Sequence, residues 1–423
     1  VRSLIDKLPG QPVTFKDLHF NKNISGYHDI DEFLERSFDT TSTYGVFHLN
    51  IASLTKHYEE LSVLMKLLKY PFKIIGISET RLTKDMNESM NLELEEYFSI
   101  DTRTLTNAGG TRLYVHNSLK NDVKVRHDLS SNIENGFESI FVEIVQNRRK
   151  SIICGCIYKH PSLSYEAFSE ECLMKILPQL AREDKLVTIM GDFNINLLDY
   201  DACTGSMNFY DMAASHNLQP LIYQPSRVTP RSQTLIDNIF TNNIKYNTIS
   251  GNLTCSISDH FAQFAVFTDY NLKTKRTKER PVYGRSFKLF HDNEFLEELS
   301  TIEWSLLFEN EKDPNVLITT LIDKITEILN VMAPIRKLSK KDQLLKQKPW
   351  ITRPILQSMH TRDRLLKQCM KEKDQHKKVE THSKYKTLRN SIVNMIRKSK
   401  IEYFKEYFLK HRSNLRKTRD GIK

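Results

Sequence analysis

Seven short apolar or alternating runs recur between Val46 and Phe267, and polar, chemistry-bearing residues sit at their ends or interrupt them. They are Val46–Leu49, Phe72–Ile77, Ser139–Val145, Ser151–Tyr158, Leu186–Met190, Thr234–Phe240 and Phe261–Phe267. Runs of this length and texture read as strands, many of them central. Two helical stripes lie between them. Leu61, Leu64, Met65 and Leu68 fall at i, i+3, i+4 and i+7, and Phe168, Cys172, Leu173, Ile176 and Leu177 make another, ended by Pro178 or soon after. Because strands and helices alternate without strict βα order, the pattern predicts an α/β sandwich with mixed sheets over a simple doubly wound sheet. At 39% hydrophobic residues the chain can fill such a core. No run approaches the ~20 apolar residues of a membrane helix, so no membrane partner is expected.

The flanks differ in texture. Residues 1–42 read as a polar lead-in with one short helix near Asp31–Arg36, and 43–270 hold the strands. Residues 271–285, with Pro281 and Gly284, read as a linker, and 286–335 as a helical segment. Pro349, Trp350 and Pro354 are expected to break the chain. A basic helical stretch then completes 336–423, with Tyr385, Leu388, Ile392, Met395 and Ile396 on one side and Tyr403, Phe404 and Phe408 further on. From Arg336 onward there are 27 Lys and Arg against 8 Asp and Glu, whereas the preceding residues carry 35 against 44. Such asymmetry points to nucleic acid, with a solvated helical face as the plain alternative. The six cysteines form no Cys-x-x-Cys pair and no zinc-spaced cluster, so they read as buried free thiols in a reducing compartment. The chain begins on Val1 and stops in basic helical sequence, so it reads as a fragment.

The polar residues at the strand ends carry the chemistry. Gly191-Asp192-Phe193-Asn194 follows an apolar strand, which places a carboxylate and an amide at a sheet edge, where ligands gather in α/β folds. Ser258-Asp259-His260 enters another strand with a carboxylate beside an imidazole. Asp237 interrupts an apolar strand, a costly place for a carboxylate without a partner; a histidine fits, and a structural pair with an arginine is the competing account. Glu79, Asn50 and Tyr158 each stand at the end of a strand. Taken singly, each could be a polar turn.

In order, Asn50, Glu79, Tyr158, Gly191-Asp192-Phe193-Asn194, Asp237 and Ser258-Asp259-His260 resemble the motif set of the endonuclease/exonuclease/phosphatase superfamily. The segments FHLNIASL, IIGISETRL, CIYKHPS, GDFNINLL, PSRVTPRSQTLIDNIFTN and SDHF resemble the endonuclease of non-LTR (LINE-type) retrotransposons over about residues 43–268. KPWITRPIL and RDRLLK are similar to the segment between that endonuclease and a reverse transcriptase. The resemblance implies a DNase I-like, four-layered α/β sandwich of two mixed sheets, followed by a basic, mainly helical C-terminal region. It implies a Mg²⁺-dependent endonuclease, with Mn²⁺ as a substitute, that nicks target DNA and leaves a 3′-hydroxyl for target-primed reverse transcription. Glu79, Asp259 and Asn50 would hold the metal, and Asp192 would align and deprotonate water with help from Asn194. His260, held by Asp237, would contact the scissile phosphate, and Tyr158 would donate to it. Thr229 and Ser258 would add phosphate contacts. Element RNA on the basic region, a reverse transcriptase C-terminal in the parent polyprotein and a nuclear location would follow.

Two readings of other classes stand beside this one: a catalytically inactive nucleic-acid-binding module from a decayed copy, and a phosphatase of the same fold. Thr111 and Arg112 depart from the family's small or apolar residues after Gly109-Gly110. A buried Arg112 needs a partner, or a sheet-edge position with its head in water. No Tyr-x-Asp-Asp tetrad of a polymerase palm is present: Tyr200-Asp201 is followed by Ala202.

Overall fold

The structure is a computed structural model. It describes residues 25–422 except 41, 87–91, 105–107, 147–148, 244, 269, 271, 273–282, 288–289, 310–311, 339–341, 344 and 346–347. The first 24 residues of the expected lead-in and most of the expected linker lie outside the described residues.

Each of the seven apolar runs holds a strand, with Thr234–Phe240 divided between the end of β13 (Gln233–Thr234) and β14 (Asp237–Thr241). The first sheet contains β1 (Ser25–His28), β2 (Tyr44–Asn50), β3 (Ile74–Ser78), β4 (Tyr97–Asp101), β5 (Thr111–His116), and, later in the chain, β15 (Thr248–Leu253) and β16 (Ala262–Phe267). Its order is β1-β15-β16-β2-β3-β5-β4. The second sheet contains β6 (Val123–Val125), β7 (Ser131–Asn132), β8 (Phe137–Ile144), β9 (Ile152–Lys159), β10 (Leu186–Asp192), β11 (Gln219–Pro220) and β14 (Asp237–Thr241). Its order is β11-β14-β10-β9-β8-β6, with β7 beside β8. A small hairpin, β12 (Arg227–Val228) and β13 (Gln233–Thr234), stands apart. Both large sheets mix parallel and antiparallel neighbours; β2–β3 and β9–β10 are parallel.

Alternation along these strands explains the layering. Val46, Ile74, Val115, Val142, Cys154, Met190 and Phe267 form one buried cluster between the two inner faces. The outer face of the first sheet is covered by α1 (Ile30–Glu35) and α2 (Leu54–Leu68) through Phe33, Leu61, Leu64 and Leu68. The outer face of the second is covered by α3 (Tyr165–Phe168), α4 (Met174–Arg182) and α5 (Thr204–Ser215) through Phe168, Ile176, Leu177 and Phe209. The result is helix, sheet, sheet, helix. Helix α1 is fixed by a capping box, in which Asp29 accepts from the Glu32 amide at 2.8 Å and Glu32 from the Asp29 amide at 2.7 Å. Pro178 sits inside α4, which runs on to Arg182; the turn just before it, Ser169–Leu173, is widened to a π-turn, a common device around a proline.

The C-terminal region is mainly helical, as expected, although Pro354 does not break it. The described residues from Trp350 onward form one compact unit with those from Ser25 to Leu272, and the described residues between them form a second unit. In the second unit, β17 (Tyr283–Arg285) pairs antiparallel with β18 (Ile335–Lys337), alongside α6 (Asp292–Ser300), α7 (Trp304–Phe308) and α8 (Pro314–Met332). In the first, Pro354 opens a helix rather than breaking one: α9 (Arg353–Lys371) carries it in its first turn, where its missing N–H costs nothing. Then come α10 (Gln375–Lys410) and α11 (Leu415–Ile422). Arg362 of α9 is buried against the Glu60 carboxylate of α2, and Lys367 pairs with Asp29 at 2.7 Å and Glu32 at 2.9 Å. Lys400 of α10 pairs with Glu59 at 2.6 Å. Three residues of the basic stretch, Arg362, Lys367 and Lys400, thus meet an acidic face of α1 and α2.

Candidate active site

The register of the strands brings the expected residues to one end of the sandwich. Parallel pairing of β2 with β3 sets Asn50 opposite Ser78, one residue before Glu79. Parallel pairing of β9 with β10 sets Tyr158 opposite Asp192, and antiparallel β14 places its first residue, Asp237, on the far side of Asp192. Asn50 then links the two sheets. Its Nδ2 donates to Glu79 Oε1 at 3.0 Å and to Asp192 Oδ2 at 2.7 Å. Gly191 is required here, since a Cβ would lie 1.9 Å from the Ile157 carbonyl oxygen. The chain just past these strands is strained: Ala52, Glu79, Arg81 and Asn194 all have φ between 48° and 54°. Non-glycine residues pay about 1–3 kcal/mol for such backbone and cluster where function holds them. Gly110, at φ +89°, helps support the Glu79 loop, its carbonyl accepting from the Thr80 amide at 3.1 Å.

The second half of the site is an acid–imidazole pair. Asp237 Oδ2 lies 2.8 Å from His260 Nδ1 and also accepts from Ser226 Oγ at 2.7 Å. Both residues are buried, Asp237 completely. Burial resists charging of the imidazole, but the Asp237 carboxylate, then Asp192 and Asp259, outweigh it and carry His260 up to about 10. Burial and the neighbouring Asp237 push Asp192 up to about 7, opposed by His260 and by the hydrogen bond from Asn50. Asp192, Asp237 and His260 bring ligand atoms within 4.8 Å of one another. With Nδ1 engaged by Asp237, Nε2 is the nitrogen left for substrate.

The donors fit a hard divalent cation better than a soft one, because Asn50, Glu79 and Asp192 offer oxygen. Asp237 Oδ1 and Glu138 Oε2 are buried without a hydrogen-bond partner among the described residues. Asn50 presents its amide nitrogen to both carboxylates, so ligation through Oδ1 would need that amide to turn.

Other expected residues stand elsewhere or act through other atoms. Asp259 does not join the buried group: its exposed carboxylate is held by Arg227 at 2.6 and 3.0 Å. Partial desolvation opposes its charge, yet His260 and Arg227 keep its carboxyl below the usual range. Asn194 contributes its backbone, whose N–H donates to Asp192 Oδ1 at 3.0 Å, while its side chain donates to the Lys159 carbonyl at 2.8 Å. Ser258 Oγ donates to the Asn50 carbonyl at 2.5 Å and also accepts from the His260 amide at 3.1 Å, so it joins the two halves of the site. Thr229 closes the β12–β13 turn through Ser232 at 2.8 Å. Arg112 is buried on β5 with partners: Asp101 at 3.5 Å, the Leu92 carbonyl at 3.3 Å and Tyr114 Oη at 3.3 Å.

Sequence reasoning missed Glu138 and Ser226. Glu138 pairs across strands with Tyr158, and burial drives its carboxyl up to about 8. Its signal was an acidic residue near the start of the mainly apolar Phe137–Ile144 strand, which also carries Ser139 and Glu143. Ser226 left none, since a serine before a short hairpin is an ordinary turn residue.

No family model and no curated protein matches this chain. Among solved structures it is similar to an AP endonuclease from Leishmania major, at 13% identity over 55% of this chain and 90% of that one, with a TM-score of 0.43. It is also similar to the Xenopus laevis APE2 catalytic domain, at 14% identity over 53% and 91%, TM-score 0.42. A third is the endonuclease domain of TRAS1, a telomere-specific non-LTR retrotransposon, at 12% identity over 55% and 100%, TM-score 0.36.

Proposed function

We propose that the α/β part of this chain is a divalent-metal-dependent phosphodiesterase that nicks DNA. The observation that carries this reading is the convergence of Asp192, Asp237 and His260, joined to Glu79 through the Asn50 amide. Phosphodiester hydrolysis needs an aligned nucleophile, a donor for the developing phosphate charge and a stabilised leaving oxygen. Asp192, raised toward neutrality, aligns a water and takes its proton. His260 is protonated at neutral pH and donates from Nε2 to a phosphate oxygen, while Asp237 and Ser226 fix its ring. Burial keeps the Tyr158 phenol neutral and able to donate. Glu79, with Asn50 after its amide turns, would hold Mg²⁺, which when bound neutralises phosphate charge. Asp259 lies beside His260, and because Arg227 holds only its Oδ2, its Oδ1 is the oxygen that would be offered to the metal.

The sequence resemblance extends the reading to a retrotransposon endonuclease whose nick ends in a 3′-hydroxyl that primes reverse transcription, which sets its work in the nucleus. The test is nicking of supercoiled plasmid. Open circles should form with Mg²⁺, disappear with EDTA and fail to form with Asp192→Ala. Intact plasmid at saturating protein, or equal nicking by the variant, overturns the proposal.

A further inference from the structure

We infer that helices α9 and α10 are the second wall of the cleft, and that Lys386 and Arg389 hold a backbone phosphate of the DNA beside the one being cleaved. The inference rests on the nuclease reading above and assigns a role to a region that composition alone marked only as basic. A cavity of about 200 Å³ opens next to His260. On one side it is lined by Arg227, Asp259 and His260, and on the other by His382, Lys386 and Arg389. These three α10 residues stand at positions i, i+4 and i+7, so they share one helix face.

The wall is fixed in place. Tyr385 of α10 and Leu366 of α9 are buried against Phe261, the residue after His260. Asp363 accepts from the Ser256 amide at 3.2 Å, and Gln375 donates to the Pro230 carbonyl in the β12–β13 turn at 3.0 Å. The loop bearing His260 is therefore held by both helices.

Charge decides what fits the cavity. Asp259 is already matched by Arg227. Among the described residues Lys386 and Arg389 form no ion pair with a carboxylate, although Lys384, on the same helix, is held by Glu380 at 2.6 Å. Helix α10 carries ten Lys and Arg against three Glu. Two cations paired with no carboxylate, across a small cavity from the imidazole that would meet the scissile phosphate, suit the next phosphate along a strand, the contact that positions a duplex without reading its sequence.

The experiment measures binding of a short labelled duplex to the full chain in EDTA, where no cleavage occurs, across about 50–200 mM salt. Lys386→Gln/Arg389→Gln should lower the slope of log K against log salt by about 0.9, the value for one phosphate contact, and weaken binding about fourfold at the upper salt and about tenfold or more at the lower. Arg389→Lys should keep the slope. Lys405→Gln/Lys410→Gln removes the same charge further along α10 and should change affinity less than about twofold. Equal effects of the two double variants, at unchanged melting temperature, overturn the inference. The expected slope loss in the variant, together with a wild type that does not nick in Mg²⁺, leaves the wall intact and removes the nuclease reading.

Discussion

His260 gains its charge from Asp237, and that dependence is measurable. Asp237→Asn keeps the shape of the pair but removes the carboxylate that fixes the tautomer and favours the imidazolium. We expect the single-turnover nicking rate to fall by about 10²–10⁴-fold, the usual size of a general acid–base contribution, with little change in DNA affinity. A loss under threefold would contradict the assignment. The same pair sets a pH signature in stability. Folding raises His260 from its ordinary 6.5 to about 10, so its contribution is fully present below pH 6.5 and is lost as pH rises toward 10. The difference in urea midpoint between wild type and His260→Gln should shrink steadily over that window; a constant difference would show that the ring is not charged by folding. The sequence made Asp237 legible because a carboxylate in an apolar strand demands a partner. It named histidine as a natural one, and Asp237 Oδ2 meets His260 Nδ1. It could not show that Arg227 takes Asp259, because that pairing depends on where a two-residue hairpin strand lies.

At the scale of elements, strands were more legible than their neighbours. Short apolar runs survive any change of surroundings, so Val46–Leu49 and Leu186–Met190 were readable in isolation and appear inside β2 and β10. The π-turn before Pro178 has no comparable signature. The docking of α9 was also hidden, since Arg362 looks like any basic residue until the fold buries it against Glu60, whose carboxyl is held below its usual range, burial notwithstanding, chiefly by Arg362. Removing Arg362 leaves the buried Glu60 carboxylate, among the described residues, with only the longer His57 contact at 3.3 Å. Arg362→Ala should therefore cost about 3–5 kcal/mol in chemical unfolding, whereas Arg362→Met with Glu60→Leu should be near neutral. Comparable losses in the single and double variants would mean that packing, not the charge pair, holds α9.

Over the whole molecule, the charge asymmetry of the sequence has two destinations. Lys367 and Lys400 meet Asp29, Glu32 and Glu59 within the fold, while Lys386 and Arg389 line the cavity beside His260. Composition revealed the excess but not its division, because pairing depends on which faces α9 and α10 present. The central claim is that residues from two sheets, far apart in the chain, act as one hydrolytic centre. Single-turnover nicking by wild type, Asp192→Asn, His260→Gln and the double variant tests it most directly. Groups that act as a unit are strongly non-additive, so the double variant should be no more than about tenfold slower than the worse single one. Losses that multiply, or an Asp192→Asn variant as fast as wild type, would contradict a shared centre.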